Sequence, residues 1–241
     1  MSEIHSCRRR AVLPQQGPFA PYVFVCLCSV LALQLLVFYA TRIPLSHREL
    51  HDLTTALDRM IPLRPGWVAV YFLTFIPWIV SLFRITGDSK DHGYRFITAL
   101  MTAQLISGAM FLIYPCTIVR PELTGDGLAV EGLRFLYRVD SPLNLFPSFH
   151  VIFSYFCWRG TMGCRHISRA FGRCNALVLV LACLCILFVK QHAAADIPAA
   201  LAVSELSLQA ARLLRLERIP YALERALHKS HPGECTDENN L

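Results

Sequence analysis

The sequence predicts an all-α, polytopic membrane protein of six transmembrane helices, with a short interfacial helix between the first two. Three observations predict it. Hydrophobic residues make up 54% of the 241 residues and charged ones only 17%, against roughly 25% charged in ordinary soluble domains. The apolar residues gather into runs of about twenty, the length that crosses a hydrocarbon core. The cations bracket those runs and form no basic tract interleaved with aromatics, so the net charge of +6 points to membrane topology and not to nucleic acid.

Residues 1–18 form a basic cytoplasmic segment with Arg8, Arg9 and Arg10. Residues 19–211 make the membrane domain. Its first helix runs from Phe19 to Ala40, too long for a signal-peptide core and without a small-residue cleavage site after it, so it is expected to be retained. In 42–65, Ser46-His47-Arg48-Glu49 reads as a capping box followed by a stripe of Leu50, Leu53 and Leu57. That pattern predicts an interfacial helix stopped by Pro62 and Pro65.

Gly66–Phe83 is the second predicted span, kinked at Pro77, and Phe96–Val119 the third. Arg120–Phe146 is too polar to span and carries the turn-like Thr124-Gly125-Asp126-Gly127. Pro147–Trp158 starts a short fourth helix. Ala176–Val189 is the fifth. His192 to about Ala211 is the sixth, weakened by Asp196, Pro198 and Glu205. Residues 212–241 form a cytoplasmic tail.

Six crossings place both termini on one side. That side collects fifteen Lys and Arg against eight on the other, so the positive-inside rule puts the termini in the cytoplasm. Arg120, His150 and His192 then emerge together on the extracytoplasmic face, most simply of the plasma membrane. Of the ten cysteines, Cys26, Cys28, Cys157, Cys183 and Cys185 fall inside predicted spans, which argues against a disulfide framework or a metal clip.

Three short runs at that face carry chemistry. Arg120, in Cys116-Thr117-Ile118-Val119-Arg120-Pro121, offers a planar fork suited to phosphate oxygens, although alone it reads equally as an arginine snorkelling to headgroups. In Pro147-Ser148-Phe149-His150, free backbone amides at a helix start favour an anion. Ser148 adds a hydroxyl, and His150 can protonate a leaving oxygen. In Lys190-Gln191-His192-Ala193-Ala194-Ala195-Asp196, a helix would stack His192 and Asp196 on one face. The carboxylate then holds one ring nitrogen while the other meets a substrate. Singly, each run has a structural explanation. On one face they suggest a phosphate site.

Arg-Pro, then Pro-Ser-x-His, then His-x-x-x-Asp, over about residues 60–205, resembles the type 2 phosphatidic acid phosphatase superfamily. Asp140-Ser141-Pro142-x-Asn144 and Lys190-Gln191-His192 are similar to its bacterial branch related to inositol phosphorylceramide synthases. The resemblance implies His192 as nucleophile, Asp196 as its orienting carboxylate, His150 as general acid, and Arg120 and Ser148 as phosphate ligands. The chain departs from the pattern at Ile113, where the family has a lysine, at Cys185-Ile186 in place of Ser-Arg, and at Phe149 in place of glycine. Lys190 is the nearby cation to replace one that is missing.

These readings lead to one expectation: a membrane-embedded phosphoester hydrolase acting on a lipid phosphate or diphosphate through phosphohistidine. No carboxylate cluster suited to Mg²⁺ lies near these residues, so neither metal nor other cofactor is expected. The alternatives are a head-group transferase of the inositolphosphotransferase kind and a non-catalytic lipid-binding protein.

Overall fold

The computed structural model describes residues 17–230; the predicted N-terminal basic cluster and the last residues of the tail lie outside them. Ten helices and one pair of two-residue strands make up this part of the chain. Four helical segments are long and apolar enough to cross a membrane, or five if the bent pair at the C-terminal end counts as one span.

Helix α1 (Pro21–Leu45) runs five residues past its expected end. Ser46 does not start a helix. Its backbone is still in the right-handed region, its amide closes α1 on the carbonyl of Arg42, and the next amide, of His47, meets Pro44 O. The capping box is instead at Thr55, where the chain is extended. Thr55 Oγ1 accepts from the Asp58 amide and Asp58 Oδ2 accepts from the Thr55 amide, satisfying two orphan donors reciprocally. The expected interfacial helix therefore contracts to α2 (Ala56–Met60). The stretch around Leu50 and Leu53 is not helical, because β1 (His51–Asp52) pairs in parallel with β2 (Cys116–Thr117).

The second span is two helices, α3 (Trp67–Leu73) and α4 (Phe75–Thr86), broken at Thr74. Pro77 offers no amide and its ring clashes with the carbonyl four residues back, which explains a break at this point. Helix α5 (Lys90–Ile113) begins six residues earlier than expected because Ser89 caps it through the His92 amide. It ends early because the residue before Pro115 is pushed out of the helical region. The connector from Arg120 to Phe146 contains an unexpected helix, α6 (Leu128–Val139), which buries Leu133 and Leu136.

Helix α7 (Phe149–Gly160) has 12 residues, about 18 Å of rise, short of the 30 Å core. Helix α8 (Arg169–Phe188) starts earlier than expected because Ser168 caps it through the Phe171 amide. Helix α9 (Asp196–Leu213) bends by 59° into α10 (Arg218–Ser230).

Contacts sort the helix ends into two groups. At one end Arg48 reaches Leu112 O, the Arg64 amide meets Phe188 O, and His192 meets Asp196. At the other, Tyr22 reaches Thr86 O, His92 meets Gly160 O, and Tyr221 reaches Asp91. Four or five membrane-length segments stand where six were expected, because α7 has only 12 residues and α9 qualifies only together with α10. Helix α5 packs between α1 and α9, and α7 lies inside against α4, α5, α8 and α9. Phe156, Ile152, Leu100 and Ile186 are fully buried at the centre.

Candidate functional site

The site forms where α8 gives way to α9. Lys190 adopts the left-handed conformation, φ 53°, and the amides of Gln191 and His192 both turn back to Ile186 O, at 2.9 and 3.3 Å. His192 lies in this turn and not on a helix, which corrects the expectation that one helical face stacks it over Asp196. Asp196, the first residue of α9, closes the turn. Its Oδ2 accepts from the Ala193 amide at 3.1 Å and lies 2.8 Å from His192 Nδ1.

Leu145 O stands 3.1 Å from the same ring nitrogen. Both neighbours are acceptors, so the proton belongs on Nδ1 and Nε2 carries the lone pair. No bond to Nε2 is made among the described residues.

Ser148 stands at the N-cap of α7 in an extended conformation, but its side chain caps nothing and is fully buried. His150, in the first turn, is held among the rings of Tyr71, Trp78 and Phe75, with centroids at 4.1, 5.1 and 5.7 Å. Its ring lies 6.3 Å from that of His192. Tyr71 to Trp78 is the middle of the α3–α4 span, about 6 to 16 Å below its start at Trp67. The chain has therefore dipped into the bundle before α7 begins, which is why α7 reaches the opposite end with only 12 residues.

Arg120 joins the site through a neighbour. Its Nη2 donates to Gln191 Oε1 at 2.7 Å and its guanidinium lies 4.4 Å from the centre of the Tyr137 ring. Burial pushes its pKa down and Asp140 opposes that shift, but a guanidinium stays charged at any working pH. Gln191 Nε2 donates to Asp140 Oδ2 at 2.6 Å, and Arg42 donates to Asp140 Oδ1 at 2.7 Å. Lys190 is engaged differently: its ammonium donates to the carbonyls of Asp58 and Ile61, at 2.5 and 2.6 Å. Burial lowers the Lys190 pKa, with Asp58 opposing.

A cavity of about 580 Å³ opens onto His192 and Lys190. One wall is the arch from Thr54 to Leu63 and the other is Ile118, Val119 and Pro121. The β1–β2 pairing and a bond from the Val119 amide to Thr54 Oγ1 hold these walls together. Arg120, Ser148 and His150 do not line this cavity, although Arg120 stands between its lining residues Val119 and Pro121. Residues 122–140, the natural choice for a pocket wall, contribute nothing to its lining.

Arg120, His150, His192 and Asp196 are linked through these contacts, Lys190 stands in the same turn as His192, and Ser148 stands two residues before His150. Among the described residues, four of the nine buried polar side-chain atoms without a partner are on these six: Arg120 Nε, Ser148 Oγ, His150 Nε2 and Asp196 Oδ1. An unpaired buried donor or acceptor costs about 1–3 kcal/mol. Asp58, Gln191, Asp140, Arg42 and Tyr71 were missed as parts of the site. Gln191 and Asp140 stand inside the quoted runs, and Thr55-x-x-Asp58 is a readable capping box, but Arg42 and Tyr71 leave no signal. Glu205 lies at the opposite end, bound by Tyr155 at 2.7 Å and by Arg159. Among the described residues no group of three or more His, Cys, Asp and Glu is placed to hold a metal ion. No protein-family model, curated protein or solved structure matches the chain.

Proposed function

We propose that the protein is a multi-pass membrane phosphoester hydrolase that acts on a lipid phosphate or diphosphate through a phosphohistidine at His192. The observation that carries this reading is the unpaired set on Arg120, Ser148 and His150 beside a histidine whose Nδ1 is tied to a carboxylate. Arg120 Nε, Ser148 Oγ and His150 Nε2 are buried atoms without an acceptor, although the rest of the Arg120 guanidinium is engaged by Gln191, and they suit an anionic ligand that completes them.

His192 Nε2 attacks phosphorus while Asp196 stabilises the imidazolium that forms. Arg120 and Ser148 hold the equatorial oxygens as charge spreads over them. His150 protonates the departing oxygen. Lys190 adds positive charge at the cavity side and can reach a ligand by leaving its two carbonyls. Water then releases phosphate from His192. In this reading the chain crosses the plasma membrane six times, α7 and α9 sheltered by longer neighbours, with the site on the extracytoplasmic face.

The cavity favours a second reading. At about 580 Å³ with a largely apolar lining, it is far larger than the ~30 Å³ share of one water. A bound alcohol would then accept the phosphoryl group, as in a head-group transferase.

Purified protein incubated with isotopically labelled lipid phosphates, with and without alcohols, separates the two. Free labelled phosphate without alcohol supports hydrolysis. Label found only in a new phosphodiester supports transfer, and no turnover on any lipid phosphate refutes both.

A further inference from the structure

Two cations line the cavity that opens onto His192, and only one is engaged. Lys190 spends its ammonium on the carbonyls of Asp58 and Ile61. Arg59, one residue along the arch, makes no side-chain hydrogen bond or ion pair among the described residues. The acid that feels its charge, Asp52, is itself held by Thr54, whose amide donates to Oδ1 at 2.8 Å. The cavity also carries Ile118, Val119 and Pro121, whose side chains offer Arg59 no acceptor.

The arch that carries Arg59 is fastened to the nucleophile's own turn. The Thr55–Asp58 box fixes the start of α2, and Lys190 binds the carbonyls at its end. Asp58 Oδ1 also accepts from the Ala194 amide at 2.7 Å, two residues beyond His192. A five-residue helix with so many external ties is not a free flap. The backbone that carries Arg59 is therefore held at a set place relative to His192, so only the exposed side chain itself has to be ordered when it meets a ligand.

We propose that Arg59 is the anion-recognising residue of this cavity, binding a phosphate oxygen of the ligand at the rim while His192 meets phosphorus at the inner end. This rests on the phosphate reading of the site. It adds a residue outside all three sequence runs, and it assigns selection of the charged ligand to the arch and not to the helix ends. The planar fork suits two phosphate oxygens at once.

The test is binding, not turnover. Full-length protein in uncharged detergent micelles is titrated with dioleoyl phosphatidic acid, with dioleoylglycerol as the uncharged comparator and with orthophosphate as competitor. Arg59→Gln, which breaks no intramolecular bond, should keep the wild-type melting temperature and bind phosphatidic acid about tenfold more weakly, the scale of one charge-assisted hydrogen bond at a partly exposed site. Arg59→Lys should recover part of the loss. Orthophosphate should compete in the wild type and about tenfold less well in Arg59→Gln.

Arg138→Gln, which removes an exposed arginine off the cavity, should bind like wild type. Equal losses in Arg59→Gln and Arg138→Gln would make Arg59 ordinary surface charge and overturn the proposal. So would orthophosphate competition that is the same in Arg59→Gln as in wild type. If wild type binds phosphatidic acid no better than dioleoylglycerol, the phosphate reading fails and takes Arg59 with it. If binding depends on Arg59 but no lipid phosphate turns over, Arg59 stands and the hydrolase reading falls alone.

Discussion

Arg120 Nη2 donates to Gln191 Oε1 at 2.7 Å, so the guanidinium in the connector beyond α5 and β2 is aimed by the residue next to His192. Gln191 is only 1% exposed, and its other end is bound to Asp140. Gln191→Leu removes an acceptor from Arg120 and a donor from Asp140 without emptying the space. Turnover should fall about tenfold or more, equivalent to ~1.4 kcal/mol in the barrier. Wild-type kinetics in Gln191→Leu would show that Arg120 needs no such aiming.

His192→Ala should abolish turnover, while Asp196→Asn should leave a measurable rate, because removing the orienting group spoils alignment and tautomer and not the nucleophile. Acid-labile, alkali-stable label on the wild-type protein, absent from His192→Ala, is the direct observation. Ordinary activity in His192→Ala would end the covalent route.

His150→Ala should depend on the leaving group. An alkyl phosphate needs its departing oxygen protonated, whereas a nitrophenyl phosphate does not. The ratio of the two rates should rise in favour of the nitrophenyl ester. An equal loss on both substrates would give His150 a packing role only.

Asp58 gives a pH dependence with a defined sign. Burial pushes its pKa up, but the bonds from Thr55 and the Ala194 amide outweigh this and hold it below the ordinary 3.8. A depressed carboxylate contributes stability above its unfolded pKa, and that stability is lost as pH falls through the folded value. Asp58→Asn should therefore be less stable than wild type by about 1–3 kcal/mol at neutral pH. The difference should persist above pH 3.8 and shrink below it. Melting curves of both proteins from pH 7 to pH 3 measure this, and a constant difference would refute the assignment.

Sidedness can be read with cysteines, but Cys116 is unsuitable because it is only 1% exposed. Asp126→Cys and Arg165→Cys place thiols on exposed connectors near opposite ends of the bundle. A membrane-impermeant maleimide should label Asp126→Cys on intact cells and Arg165→Cys only after permeabilisation. The reverse order inverts the orientation, and labelling of both from outside breaks the six-crossing path.

The apolar runs made the long helices legible, since burying or dissolving about twenty apolar residues in lipid leaves few alternatives. Helix ends were less legible. Ser89 and Ser168 extended α5 and α8 beyond their apolar parts, because capping geometry, not hydropathy, decides where a helix begins. Ser46 and Thr55 both stood ahead of a capping-box pattern, and only the fold could choose, since α1 had already enclosed Ser46. Helix α6 was hidden by its polar face. Within the site, the residue types at Arg120, Ser148, His150, His192 and Asp196 were visible. The Arg42–Asp140–Gln191 connection was not, because it joins three segments far apart in sequence.

The depth of His150 has a consequence for the proposed reaction. Tyr71, Phe75 and Trp78 pack against its ring, and the cavity is lined by His192 but not by His150. In the proposed reaction, donor fragment and acceptor would share one doorway, so the first product would have to vacate before the second reactant could reach a phosphorylated His192. On that route the kinetics are ping-pong, and two in-line inversions return a chiral phosphorus to its starting hand.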